Sequence, residues 1–384
     1  MMRSKLNTLL FRIILFVMVI AFIEIIGYAG MFFSSKSFDF LANNNYFRIR
    51  DMLIGNKTPE QFPRYLSLPY LGYVPYPGYK KYGVVQHNED GYRGNRVPLQ
   101  KTDKFRVLCV GGSTTYGFTV ELPTQTFPSQ LENLLNTYIR NDSALNKKYS
   151  GAEVINAGIE AGNSAEELQQ YLFKYRHYHP DAVIVHSGVN DAFLLYNSGS
   201  EFQLDYTHAR RINFHLEPLP LPGRWLLKSY FISFLSIRFF YHDFAANTIG
   251  FEYQSEHTFC KWSKINMDSV IAKKQYRDYP FYTNAKSLYS EILSDSSVLL
   301  VLPTVLNKKS DFVKANKKYD ELNTLNISLS KLLCTQLGGI FVALEYDSIK
   351  NSANWMDDCH LNSEGEKNKA DILFPYLVRA LMSR

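Results

Sequence analysis

The chain has 384 residues, 46% of them hydrophobic and 20% charged. That is enough apolar material for one large domain with additions, or two small ones, and it excludes general disorder. The net charge of +6 is mild at this length, and no Lys/Arg block or aromatic–basic stripe marks a nucleic-acid surface.

The N-terminus carries the first element. From Ile13 to Phe33 only Glu24 is charged, and Leu9 to Phe33 is long enough to cross a bilayer as a helix. Arg3, Lys5 and Arg12 precede this stretch and Lys36 is the basic residue close behind it. That bias places the N-terminus in the cytoplasm and the bulk of the chain outside it, although Arg48 and Arg50 weaken the asymmetry in a wider window. Glu24 is costly at mid-membrane, so it lies towards the outer interface or meets a partner helix. A cleaved signal peptide ending near Gly27-Tyr28-Ala29 is the alternative, but the apolar stretch continues past that site, which favours an uncleaved anchor over residues 1–36.

Residues 37–104 are rich in Tyr, Pro, Gly and Asn, as in "LPYLGYVPYPGYKKYG" and "HNEDGYRGNR", and predict extended segments and turns leading into the main domain. From Phe105 onward the pattern changes. Apolar runs "FRVLCVG", "AEVINAG", "DAVIVHSG", "SVLLVLPT" and "GIFVALE" alternate with amphipathic stretches, the signature of buried parallel strands in an α/β domain of about five strands. Pro128 suits the first turn of a helix that turns Leu131, Leu134 and Leu135 inward. Ser164 and Glu167 form an S-x-x-E capping box, followed at helical spacing by Leu168, Tyr171, Leu172 and Tyr175. An insertion at about 192–295 interrupts the rhythm. Its apolar stretch Arg224–Phe244 reads either as a buried cap helix or as one resting on a membrane surface.

The cysteines (Cys109, Cys260, Cys334 and Cys359) are too few for a disulfide scaffold and form no C-x-x-C pair. Cys109 reads as a small core residue, and a Cys260–Cys334 pair in an oxidising compartment stays open. His177 and His179 lack a Cys or carboxylate cluster at ligand spacing, so no zinc site is expected.

Doubly wound sheets present their ligands at the carboxyl ends of the strands, and three strand ends here carry polar or glycine clusters. The first ends in Gly111-Gly112-Ser113-Thr114, the second in "NAGIEAGNS", the third in "SGVND". After the last strand comes "WMDDCHLNSEG". From Gly112 the first block also nearly spells a P-loop, but Phe118 stands where the phosphate-binding lysine belongs and no acidic strand end is evident for magnesium. The chemistry of acyl transfer uses all four blocks. Ser113 would be a nucleophile, His360 its base and Asp357 the orienting acid, with Asp358 the rival for that last role. Backbone N–H groups at Ser113 and at a glycine after the second strand, with the Asn190 amide, would stabilise an oxyanion. Each residue also has a plainer reading: Ser113 a turn former, Asn190 a turn or cap residue, Asp357 and His360 caps of the final helix. His186 reads as a satisfied strand-end histidine.

The blocks "GGSTTYG", "AGNS", "GVND" and "DDCH" resemble those of the SGNH, or GDSL-like, hydrolase superfamily. The resemblance covers about Phe105–Arg384 apart from the insertion, and it implies a flavodoxin-like three-layer α/β sandwich. It also implies a catalytic triad of Ser113, Asp357 and His360, and an oxyanion hole of Ser113, Gly162 and Asn190, with Gly158 the fallback for Gly162. Gly112 departs from the family's name-giving motif, which has aspartate there. The segments "LGYVPYPG" and "NEDGYRG" resemble the lead-in of a membrane-anchored bacterial subset associated with surface polysaccharides. The expectation is therefore a single-pass bacterial membrane protein with its domain on the extracytoplasmic side. It would hydrolyse acyl, above all acetyl, esters on a cell-envelope carbohydrate, with no metal or organic cofactor implied. A lipid acyl-ester hydrolase, an O-acyltransferase using the same triad, and a non-catalytic glycan-binding scaffold remain as alternatives. The sequence names no protein partner.

Overall fold

The computed structural model describes residues 2–36, 46–55, 64–68, 70–81, 83–206, 209–210, 219–240, 252–253, 265–343, 349 and 352–384. The chain divides into two compact units, Met1–Ser67 with Ile212–Gly250, and Leu68–Arg211 with Phe251–Arg384.

The larger unit is built on the five expected strands. β1 (Phe105–Gly111), β2 (Ala152–Gly158), β3 (Ala182–His186), β4 (Val298–Val301) and β5 (Ile340–Phe341) pair in parallel in the order β5-β4-β3-β1-β2. β5 is shorter than its apolar run; Leu344 and Glu345 of that run lie outside the described residues. The helices are α1 (Ser113–Tyr116), α2 (Phe127–Asn141), α3 (Ser164–Phe173), α4 (Val189–Ser198), α5 (Pro280–Ser294), α6 (Lys317–Leu337) and α7 (Ser363–Ser383).

Alternate strand residues point to opposite faces. Leu108, Val110, Ile155, Val183, Val185, Leu299 and Val301 pack with Tyr171 of α3, Leu288 and Ile292 of α5, and Leu329 and Leu333 of α6. Val107, Cys109, Val154, Ile184 and Leu300 meet Leu131, Leu135 and Ile139 of α2 and Leu373, Leu377 and Leu381 of α7. Both faces are covered, so the strands read as continuous apolar runs, and the unit is a three-layer α/β sandwich. α5 fills the place of the crossover helix between β3 and β4, so the last part of the expected insertion belongs to the regular fold.

Two local readings are corrected. The box that starts α3 is Asn163 with Glu166, one residue earlier than expected: the Asn163 side chain accepts from the N–H groups of Ala165 and Glu166, and Glu166 accepts from the Asn163 N–H. Ser164 and Glu167 instead turn inward and are buried. The run "FRVLCVG" also hides a charge. Arg106 is fully buried, paired with Glu153 at 2.6 Å and donating to the Leu99, Gln100 and Tyr178 carbonyls.

Cys109 is a buried core thiol, as read from its apolar run. Cys334 is buried and free, and Cys260 lies outside the described residues.

In the smaller unit the helix Met2–Lys36 contains Asn7–Ser34, long and apolar enough to cross a membrane. Glu24 meets a partner helix. Its carboxylate accepts from the Tyr230 N–H at 2.6 Å and from the Ser229 hydroxyl, at the start of the helix Tyr230–Phe240. Met31, Tyr46, Ile49, Leu53, Leu227 and Ile237 form a small core there. The buried-cap reading of Arg224–Phe244 does not hold. Within Tyr230–Phe240 the buried residues are Ser233 and Ile237, and the helix Leu221–Leu226 has none. Residues 241–244 of that stretch lie outside the described residues.

Candidate active site

The parallel register sets Gly111, Gly158 and His186 side by side at the strand ends. β1 breaks there into the one-turn helix α1, which begins at Ser113 and closes at Gly117 in a left-handed conformation (φ 77°). Glycine at 158 serves packing, because a Cβ there would lie 2.2 Å from the Tyr116 nitrogen. Gly112 serves the site directly: a Cβ would lie 2.5 Å from the Asn190 Nδ2.

The loop after β5 brings the other partners. A bridge between Trp355 and Leu361, with Met356 N–H donating to the His360 carbonyl at 2.9 Å, pinches residues 355–361 into a tight turn. Asp357 Oδ1 accepts from the N–H groups of Cys359 (2.9 Å) and His360 (2.8 Å), leaving Oδ2 to accept from His360 Nδ1 at 2.7 Å. His360 Nε2 then lies 2.7 Å from Ser113 Oγ. A serine proton donated to Nε2 and an Nδ1–H donated to Asp357 satisfy all three groups with one tautomer. The helix-cap reading of Asp357 and His360 fails, since Asn362 caps α7 by accepting from Gly365 N–H. Asp358 stands aside, its backbone carbonyl accepting from Asn307 N–H.

The electrostatics follow from these bonds. Burial pushes the Asp357 carboxyl up, but the His360 hydrogen bond and charge and the two backbone N–H groups outweigh it and bring it to about 2. Burial disfavours the imidazolium of His360, yet the Cys359 sulfur and the Asp357 carboxylate raise it well above the ordinary histidine value. Burial raises the Cys359 thiol, and its sulfur sits 3.6 Å from His360 Nδ1. Asp357, Cys359 and His360 are also a cluster with donor atoms close enough to hold a metal ion, but two of the three are bonded to each other. His186 is a different histidine in kind: its Nδ1 faces the Leu302 carbonyl at 2.8 Å, and burial holds it well below the usual range.

Of the expected oxyanion donors, Ser113 N–H heads α1, where no helical carbonyl reaches it. Asn190 lies inside the first turn of α4, one residue beyond its start, and its amide donates to the Gly162 carbonyl at 2.7 Å. That bond occupies one amide hydrogen and leaves the second. Gly162 departs from the expectation, because its N–H donates to the Ile159 carbonyl at 3.1 Å and closes a turn. The fallback Gly158 donates to Asn156 Oδ1 at 3.1 Å. Gly162 thus meets Asn190 through its carbonyl. Phe118, the residue that broke the P-loop pattern, packs its ring 5.3 Å from the His360 ring.

Sequence reading missed the groups that hold α1. Arg93, buried, donates to the carbonyls of Tyr116, Gly117 and Val120 and lies over the Tyr116 ring. Lys369, buried on α7, donates to the Thr114 carbonyl at 3.0 Å and pairs with Glu366 at 2.8 Å. Glu366 in turn accepts from Phe127 N–H at the start of α2. A buried Lys three residues after a buried Glu gives no signal distinct from an ordinary exposed i,i+3 pair.

The chain is similar to solved esterases and lipases. A catalytic mutant of Axe2, an acetylxylan esterase from Geobacillus stearothermophilus, is 13% identical over 72% of this chain and 93% of that one, with a TM-score of 0.40. A GDSL-like lipase from Bacteroides thetaiotaomicron is 11% identical over 74% and 93%, TM-score 0.40. A lipase/acylhydrolase from Enterococcus faecalis is 13% identical over 71% and 94%, TM-score 0.38. At these identities the likeness does not assign an activity. No family model and no curated relative matches the chain.

Proposed function

We propose that the chain is a serine ester hydrolase of the SGNH type, held to a membrane by its N-terminal helix. The observation that carries this reading is the unbroken relay Ser113 Oγ–His360 Nε2, His360 Nδ1–Asp357 Oδ2, each link 2.7 Å. Such a relay supplies what a serine hydroxyl lacks, a base within reach and an acid that fixes the base's tautomer. Ser113 Oγ forms a bond to the ester carbonyl carbon as its proton passes to His360. The carbonyl oxygen takes up the negative charge between Ser113 N–H and the free hydrogen of the Asn190 amide. His360 returns the proton to the departing alkoxide and the C–O bond breaks. Water then gives a proton to His360 and attacks the acyl-enzyme, and Ser113 recovers its hydrogen as the carboxylic acid leaves. Gly162 acts through its carbonyl, which aims the Asn190 amide.

The substrate class we assign is an acyl ester, above all acetyl, on a cell-envelope carbohydrate. The resemblance of the lead-in to polysaccharide-associated proteins and the charge bias around the anchor support it. The test is product release by the full chain in detergent from acetylated oligosaccharides and from p-nitrophenyl esters of rising chain length. Acetate release that disappears in Ser113→Ala is the expected result. Steep preference for long chains would replace the carbohydrate with a lipid, and a rate that rises with added acceptor glycan would replace water with a sugar hydroxyl. A folded chain that turns over no ester would remove the hydrolase reading.

A further inference from the structure

The insertion leaves a set of large apolar side chains that the fold does not cover. Leu221 and Trp225, one helical turn apart, are 71% and 73% exposed, and Leu226 is exposed beside them. They sit within the smaller unit, next to a group of a particular composition. Tyr28 of the long helix stacks edge-on against Tyr230, Arg50 lies over the Tyr230 ring and donates to the carbonyls of Leu227 and Lys228, and Lys228 lies over the Trp225 ring. Tryptophan and tyrosine mixed with lysine and arginine are what protein surfaces place at the headgroup level of a bilayer.

The apolar span Asn7–Ser34 rises about 42 Å at about 1.5 Å per residue, more than a hydrocarbon core of roughly 30 Å, so its outer turns reach the headgroup boundary. Tyr28 stands in the last quarter of that span. Glu24, less than a turn and a half below, is not left bare, since Ser229 and the Tyr230 N–H satisfy its carboxylate. The helices also approach closely: a Cβ on Gly27 would lie 2.2 Å from the Phe231 nitrogen. Glycine there lets Tyr230–Phe240 lie directly against the anchor.

We propose that Leu221, Trp225 and Leu226 insert into the outer leaflet beside the anchor, so that the insertion is a second membrane contact whose partner is the acyl-chain region of the phospholipids. The exposed side chains are large and apolar, and Lys228 over Trp225 with Arg50 over Tyr230 gives them the aromatic–basic border of a headgroup boundary, which is why lipid rather than protein is the occupant. This rests on the reading of Met2–Lys36 as an anchor. It decides between the two readings the sequence left for this stretch and names the side chains involved: the smaller unit is fixed against the bilayer by two elements instead of one swivelling helix.

The experiment uses the full chain in nanodiscs made with phosphatidylcholine brominated near the headgroup end of its acyl chains, compared with unbrominated discs. The Trp225 emission is the difference between the wild-type chain and Trp225→Phe, which leaves the other tryptophans unchanged in both. Bromine should quench most of that difference signal. The control is Phe16→Trp in the Trp225→Phe background, read in discs brominated deep in the chains. Quenching of that control with an unquenched Trp225 signal overturns the second contact alone, leaving a face covered by protein or water. An unquenched control as well would overturn the anchor and the inference together.

Discussion

In the proposed mechanism His360 is the base, and its environment sets a pH dependence. Its folded value lies well above the ordinary histidine value, because the Cys359 sulfur and Asp357 carboxylate outweigh the cost of burial. The base works unprotonated, so kcat/KM should rise with pH along a limb centred above the usual histidine range. Asp357, at about 2, stays ionised throughout and adds no second limb there. The stability sign is the reverse: the raised value of His360 contributes stability that is fully present below its unfolded value and is lost as pH rises through the folded one. Asp357→Asn should lower the limb's midpoint and cut kcat by about 10⁴, the scale for a triad left with the wrong tautomer. A limb unmoved by that change, in a pH–rate profile, would separate the two residues. Asn190→Ala should lower kcat by about 10²–10³, as for one lost oxyanion donor, and normal turnover would sink the oxyanion role. Gly112→Ala should act on the same atoms, by pushing the amide aside. That Ser113, His360 and Asp357 come together was legible because a serine, an asparagine and a D-x-x-H block follow strand ends in a fixed order. The use of Gly162 was not, since a glycine after a strand serves equally as donor, carbonyl or turn.

At the scale of elements, α1 is too short to hold itself and depends on groups from distant parts of the chain. Arg93 fixes its carboxyl end and Lys369 its first turn. Because Glu366 and Lys369 are both 2% exposed, removing one partner strands the other's charge. Lys369→Met should destabilise by about 3–5 kcal/mol in denaturant unfolding, and the double change Glu366→Gln, Lys369→Met by less. Equal losses in single and double variants would mean that the pair is not coupled. The strands were legible because burial on both faces forces continuous apolar runs, and β1 and β2 match theirs end to end. Arg106 escaped because one charge among six strand neighbours does not break such a run. α5 escaped because it follows the insertion without a break in composition, and the start of α3 was misplaced because Ser164 and Glu167 copy a capping box while their side chains are spent inside the fold.

At the scale of the whole molecule, the sequence separated an apolar helix from an α/β domain, and the structure adds that the N-terminal helix forms a compact unit with part of the insertion. Contacts between Glu24 and Tyr230 join residues some two hundred positions apart, a distance over which no local pattern carries information. Whether Ser113 is an activated nucleophile decides the proposed function. The most direct measurement treats the full chain with a fluorophosphonate probe and locates the adduct by mass spectrometry. Labelling at Ser113 that is abolished in His360→Ala is the result expected. A folded chain that stays unlabelled, or is labelled equally well without His360, would contradict it.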